Sequence, residues 1–345
     1  MDETAPITPR IKARLNKQLP LDEEEVMGLA ALTGPDLFDL FSIANRLRAK
    51  LGNTVELCAI TNAKSGRCPE DCSFCAQSAH HGPETGGYPL LGPGRLLADA
   101  KKAEKAGAHR FSIVTSGNRL KPEELERVLD AVGQIKSRTG LEVCASLGAL
   151  GPQSARKLKE AGVSRIHHNL ESSERFFRHI CSTHTYADRI RIIRTAKEAG
   201  LEVCSGGIIG LGESMEDRVK LAFALRELDV DAVPINILNP IPGTPMENVA
   251  PLPPLEILKS IALFRFILPE KNIRLAGGRE RNLRDLQALA LFCGADGLML
   301  GNYLTTAGRS PEKDLQMIRD AGLNFENIEA GNREAGNREA GNGEA

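Results

Sequence analysis

The chain lacks charge imbalance, a long apolar run, an export signal and a fourth cysteine beside its densest cysteine cluster. With 44 Lys and Arg against 45 Asp and Glu, its formal net charge is −1, and no long basic stretch offers nucleic acid a surface. No apolar run is long enough to span a bilayer, which argues against a membrane partner. Residues 1–20 show no charged, apolar and small-residue signal pattern, and eight cysteines in 345 residues is ordinary density. A secreted disulfide framework is therefore disfavoured. Free thiols without an export signal point to the cytoplasm, where thiols stay reduced.

What is present begins with Cys68-Pro69-Glu70-Asp71-Cys72-Ser73-Phe74-Cys75, a C-x3-C-x2-C spacing. Thiolates at such intervals serve soft metals, and iron–sulfur clusters are held mainly by cysteine sulfur. A four-iron cluster with three protein ligands keeps one iron open, and an open metal position is where a substrate or cofactor coordinates. The alternative is structural zinc, with His80 or His81 completing a Cys3His set.

At 41% hydrophobic and 26% charged residues, the chain can bury a sizeable core. Its length allows two domains or one α/β barrel. Helix, glycine and short apolar strand recur: Gly107 before 110–114, Gly162 before 165–169, Gly200 before 202–205, Gly294 before 297–300. Glycine past a helix end permits the left-handed turn back to the sheet. Segments 54–60, 142–146, 232–237 and 273–276 bring the candidate strands to eight, separated by helical patterns such as 121–137, 186–198 and 255–266. The expectation is an α/β fold, a (β/α)8 TIM-type barrel with an N-terminal helical extension; an open doubly wound sheet is the alternative. The domain plan is a flexible arm over 1–20, a barrel over 21–325 and a disordered tail over 326–345. The tail repeats Glu-Ala-Gly-Asn-Arg at period five from Glu329.

Three strands carry Glu-apolar-Cys: Glu56-Leu57-Cys58, Glu142-Val143-Cys144 and Glu202-Val203-Cys204. Alternate residues share a strand face, so each Glu lies on its cysteine's side. A Glu on an apolar face is costly, so that face reads as a polar lumen, with Arg274 joining from the seventh strand. The bland reading makes Cys58, Cys144 and Cys204 ordinary core residues. Cys181 and Cys293 lack such context and read as core or surface thiols.

The run Cys-Pro-Glu-Asp-Cys-Ser-Phe-Cys-Ala-Gln-Ser at 68–78 resembles the signature of the biotin synthase family, within the radical S-adenosylmethionine superfamily. Further matches are Ala-Lys-Ser-Gly at 63–66, His-His-Asn-Leu-Glu at 167–171 and Cys-Ser-Gly-Gly-Ile-Ile-Gly-Leu-Gly-Glu at 204–213. Val-Pro-Ile-Asn at 233–236, Arg-Leu-Ala-Gly-Gly-Arg-Glu at 274–280 and Leu-Thr-Thr at 304–306 complete a set spanning about 30–325. The resemblance implies a radical sulfurtransferase. A 4Fe–4S cluster on Cys68, Cys72 and Cys75 would chelate S-adenosylmethionine and cleave it to a 5′-deoxyadenosyl radical. That radical activates dethiobiotin, and an auxiliary cluster donates the sulfur that makes biotin. A homodimer and a flavodoxin- or ferredoxin-type electron donor are the partners expected with it.

By the same resemblance, Phe74, Asn169, Glu171, Arg189, Gly210 and Glu213 contact S-adenosylmethionine, with Glu171 standing where the family uses Asp. Lys64, Asn169, Asn236, Thr305 and Thr306 lie near dethiobiotin; loop capping or solvation is the bland reading for these polar groups. The better-known family form binds an auxiliary 2Fe–2S cluster with three cysteines and an arginine. Cys144, Cys204 and Arg274 match, but Ser112 stands at the first cysteine position, on the second strand. Serine is a harder, poorer iron ligand, so Cys58 on the adjacent strand is expected to replace it. The auxiliary cluster is then 2Fe–2S or a larger four-iron type. The alternatives are another enzyme of the same barrel group, such as a methylornithine synthase or hydrogenase-maturation enzyme, and a non-catalytic cluster carrier.

Overall fold

A computed structural model describes residues 13–14, 19–66, 68–81 and 86–326. Most of the arm expected over 1–20 and nearly all of the tail expected over 326–345 lie outside the described residues. Two helices, α1 (Glu23–Ala30) and α2 (Gly34–Ala49), precede the first strand, supplying the N-terminal helical extension. Asp22 caps α1 by accepting from Glu25 N at 2.9 Å while the Glu25 carboxylate accepts from Asp22 N, a reciprocal box that fixes where the helix begins. Both helices pack on the outer helix α9 (Pro254–Ile267).

The sheet then alternates with helices: β1 (Glu56–Lys64), α3 (Pro93–Lys105), β2 (Arg110–Thr115), α4 (Pro122–Arg138), β3 (Glu142–Ser146), α5 (Pro152–Ala161) and β4 (Val163–His167). After the short α6 (Glu174–Phe177) come α7 (Tyr186–Glu198), β5 (Glu202–Cys204), β6 (Gly207–Ile209), α8 (Met215–Glu227) and β7 (Ala232–Ile237). Beyond α9 follow β8 (Asn272–Leu275), α10 (Arg279–Leu283), α11 (Gln287–Phe292), β9 (Gly297–Met299) and α12 (Pro311–Asp320).

Every pairing between these strands is parallel, in the order β5-β4-β3-β2-β1-β9-β8-β7-β6, and β5 also pairs with β7. That last pairing closes the sheet. Because β5 and β6 are two pieces of one barrel strand beside β7, the result is the expected eight-stranded barrel and not an open sheet. All eight expected strands are present, with β1 running four residues further than read and β4 starting two earlier. Gly162 closes α5 with φ 102, the left-handed cap the repeated glycine implies, and Gly107, Gly200 and Gly294 share its positive φ. No helix among the described residues is long and apolar enough to cross a membrane.

Lumen residues come in layers, because a pleated strand turns alternate side chains inward and the barrel's stagger groups those from alternate strands. Glu56, Cys58 and Ile60 face in from β1. Register then aligns Arg110 and Ser112 on β2, Cys144 on β3, Cys204 beside His167, and Arg274 between Pro234 and Gly297. Counting around the barrel, β1, β3, β5/β6 and β8 are the odd strands. Cys58, Cys144, Cys204 and Arg274 therefore form one layer of four. Ser112 belongs to an even strand and to the layer nearer the barrel mouth, with His167, Pro234 and Met299.

Candidate active site

The triad follows β1 at the C-terminal end of the barrel, where loops rather than strand interiors carry chemistry. Its loop is curled by Cys68 N donating to Gln77 O (2.8 Å), Ala79 N to Cys68 O (2.8 Å) and Cys75 N to Cys72 O (2.9 Å). The imidazoles of His80 and His81 lie 2.9 Å from the Pro69 and Cys72 carbonyls, bracing the loop from behind. Both Nε2 atoms are thereby engaged, and the one group of three or more close His, Cys, Asp or Glu ligand atoms among the described residues, Cys72 with Cys181 and His184, contains neither histidine.

A cavity of about 730 Å³ opens over this loop, lined by all three triad cysteines and Phe74. Asn169, Glu171, Arg189, Asn236, Thr305 and Thr306 line it as well, so most of the expected cofactor and substrate residues converge. Arg189 donates through NH1 to Asn169 O (2.8 Å) and through Nε to His184 Nε2 (3.1 Å), and it sits 3.6 Å from Glu171. Burial pushes the Glu171 carboxyl up, opposed by Arg189. Glu171 also has φ 72, a strained value for a non-glycine residue. Its backbone oxygen accepts from Ile208 N at 2.9 Å, an approach that only a glycine at 207 allows, since a Cβ there would lie 2.2 Å from that oxygen. Gly207→Ala is expected to destabilise the fold by about 1–3 kcal/mol through overpacking and to weaken S-adenosylmethionine binding. Urea denaturation and equilibrium binding check the two effects.

Three expected residues stand apart from the cavity. Lys64 pairs with Glu124 at 2.6 Å. The Glu213 carboxylate accepts from Gly210 N (2.8 Å) and Leu211 N (2.6 Å) and pairs with Arg218 at 2.6 Å, so it holds the turn that carries Gly210.

Beneath the cavity lies the sulfur layer. Cys58, Cys144, Cys204, Arg274 and the neighbouring Ser112 are all essentially fully buried. Burial pushes Cys204 up to about 11 and raises Cys144, while Arg274 and Arg165 pull both thiols the other way. Deeper still, Glu56 pairs with Arg110, with Arg165 at 3.4 Å and with Arg274 at 3.2 Å; Glu202 pairs with Arg165 at 2.8 Å. Glu142 differs from the lumen reading: although no more exposed than Glu202, it pairs at 3.7 Å with Lys136 of the outer helix α4 and not with a lumen arginine. Three guanidinium groups against two carboxylates leave a positive floor under the thiols, which favours an anionic occupant. Arg274 NH1, Ser112 Oγ and His167 Nε2 are buried without a hydrogen-bond partner among the described residues. Burial, then Arg274 and the other arginines, hold His167 neutral. Soft thiols, a positive floor and unsatisfied polar atoms fit an iron–sulfur cluster in this layer.

Sequence reasoning passed over the latch that positions the triad loop. Asp71 accepts from Ser182 N (2.9 Å) and Thr183 N (3.2 Å), and Glu70 lies 2.5 Å from His184 Nδ1. His184 thus joins the triad loop to Arg189. The acidic pair between the first two cysteines was the available signal, since carboxylates beside cluster thiolates need partners of their own.

Against known proteins, the radical SAM superfamily matches residues 63–225, and the Biotin and Thiamin Synthesis associated domain matches 234–324. The biotin synthase of Heliobacterium modesticaldum is 53% identical over 309 residues, covering 89% of this chain and 95% of the relative. That of Carboxydothermus hydrogenoformans is 52% identical over 308 residues, covering 88% and 95%. The chain belongs to the biotin synthase family. Among solved structures, methylornithine synthase superposes with TM-score 0.78 at 22% identity, covering 91% of this chain and 97% of that one. A FeFe-hydrogenase maturase from Carboxydothermus hydrogenoformans gives 0.77 at 19%, covering 91% and 78%. These two share the barrel. Half-identity to biotin synthases over nearly the whole chain sets the family apart from both alternatives. Radical SAM membership carries with it a 4Fe–4S cluster and S-adenosylmethionine.

Proposed function

We infer that the chain is a biotin synthase that inserts sulfur into dethiobiotin. The observation that carries this is the stacking of two thiol sets on one axis: the triad at the mouth and Cys58, Cys144, Cys204 and Arg274 directly below the cavity. When bound, the triad's cluster and S-adenosylmethionine supply the radical, and the lumen cluster supplies the sulfur. Everything else is positioning by the chain's own groups. Arg189, fixed by His184 and the Asn169 carbonyl, presents a guanidinium suited to the cofactor's carboxylate. Phe74, Asn169 and Glu171, which line the cavity, would hold the cofactor's nucleoside. Gly210 and Glu213 shape the turn beside it. Asn236, bridging Gly207 O (3.2 Å) and Gly277 N (3.0 Å), offers dethiobiotin a rigid amide, and Thr305 and Thr306 line the same cavity. Lys64, outside the cavity lining, serves the same substrate only on leaving Glu124. A buried lumen keeps water away from reacting carbon.

Cys58 takes the place of the missing thiolate, and the lumen cluster is 2Fe–2S or a four-iron type. A flavodoxin- or ferredoxin-type donor reduces the triad's cluster, and the chain works as a cytoplasmic homodimer. The deciding experiment is turnover by the anaerobically reconstituted protein, with dethiobiotin, S-adenosylmethionine and a reductant, followed by mass spectrometry. Cofactor cleavage without biotin would point to another radical enzyme; no cleavage would leave a cluster carrier. Cys144→Ala and Cys204→Ala are each expected to lose biotin formation and lumen iron while keeping some 5′-deoxyadenosine release, because their layer acts after the radical is made. Unchanged iron and biotin yield in both would reduce these thiols to core packing.

A further inference from the structure

Cys181 has no part in the reaction above, yet its sulfur lies against a triad ligand. The ligand atoms of Cys72, Cys181 and His184 lie within 4.8 Å of one another, the one such His, Cys, Asp or Glu grouping among the described residues. The segments carrying the two cysteines are tied together on both sides, by a backbone bond on one and by a side-chain carboxylate on the other. Ser73 N donates to Ile180 O at 2.9 Å just beyond the pair, and Asp71 accepts from Ser182 N at 2.9 Å just before it. Segments tied in this way, with the two sulfurs within 4.8 Å, place the cysteines where a rotamer change can bridge them. Cys181 Sγ also lies 3.0 Å from Asp71 and 3.3 Å from His184 Nδ1, contacts that hold its side chain beside Cys72. Cys72 lines the open cavity, so a small oxidant reaches it.

We propose that Cys72 and Cys181 form a reversible disulfide whenever the triad is free of its cluster, so that Cys181 shields a cluster ligand from irreversible oxidation. The proposal rests on the triad being a cluster site. With hydrogen peroxide as oxidant, one thiolate attacks a peroxide oxygen, the O–O bond breaks and hydroxide leaves, giving a sulfenic acid. The second thiolate attacks that sulfur, the S–S bond forms, the S–O bond breaks and a second hydroxide leaves. The two thiol protons go to the hydroxides; two thiols are oxidised and one peroxide is reduced to two waters. The same bond forms whichever sulfur is oxidised first. Without the partner thiol, a sulfenic acid on Cys72 proceeds to the sulfinic state, which ordinary thiols do not reverse.

The test uses the full chain stripped of iron by chelation under nitrogen, then exposed to hydrogen peroxide and mapped by peptide mass without reduction. The expected product joins Cys72 to Cys181. Dithiothreitol should cleave it, and reconstitution should then restore the four-iron absorbance of the unoxidised control. In Cys181→Ser the same exposure should leave Cys72 over-oxidised or mispaired, and the recoverable four-iron absorbance should fall several-fold. A Cys72–Cys68 or Cys72–Cys75 link dominating in the unsubstituted chain overturns the proposal. So does a Cys181 that alkylates fully after oxidation, or equal cluster recovery in the two chains. An unoxidised control that takes up no four-iron cluster counts against the functional reading instead, because the disulfide map is made before any reconstitution.

Discussion

Cys72→Ala protein is expected to release no 5′-deoxyadenosine and to hold roughly four fewer iron atoms per chain than the unsubstituted protein after identical reconstitution. Cys68→Ala and Cys75→Ala should behave alike. Three thiolates leave one iron open for the cofactor; with two, the cluster has neither its anchor nor a single defined open site. The barrel should survive, because the triad lies on a loop beyond β1 whose curl is held by backbone hydrogen bonds and by the imidazoles of His80 and His81. Iron and sulfide analysis, nucleoside chromatography and circular dichroism separate these effects. A normal deoxyadenosine yield from Cys72→Ala would sink the radical assignment.

Of the two residues competing for the last lumen ligand, Cys58 is the one whose loss should be severe. Cys58→Ala is expected to eliminate lumen-cluster iron and biotin formation, with the triad's cluster retained; Ser112→Ala is expected to keep most activity. The layering of the barrel gives the reason. Cys58 shares its layer with Cys144, Cys204 and Arg274, and the Arg274 guanidinium feels all three sulfurs. Ser112 sits one layer nearer the mouth, directly across from Cys144 and Ile60 in register, with a hydroxyl that is a hard ligand for iron. Mössbauer spectra of both variants, reconstituted side by side, count the clusters and assign their type. Ser112 essential with Cys58 dispensable would show that serine ligates iron and that Cys58 fills space.

The architecture was legible in the chain because its signals are local. Glycine after four of the helices, short apolar strands of four to seven residues and the Glu-apolar-Cys parity each follow from neighbours in sequence. The triad was legible for the same reason. Strand limits were less so: β1 continues to Lys64 because its later residues pair with β2, a tertiary gain that no local pattern carries. The break at Ser205-Gly206 was equally hidden, since it serves the contact between Gly207 and Glu171. Glu142 misled because parity says which side a residue faces, not which partner it meets. His184 and Cys181 went unassigned because their partners, Glu70, Asp71 and Cys72, lie more than a hundred positions away.

The charged floor makes the lumen a blind alley. Glu56, Arg165 and Arg274 are buried together across the lumen, and Arg110 and the part-exposed Glu202 lie at its lower end. Traffic to the sulfur layer then runs through the mouth, past the side chains proposed to face cofactor and substrate. Whatever renews the spent sulfur must queue behind departing product. Turnover is then ordered in time by a corridor with a single door, and a second cycle begins only when the first has cleared it.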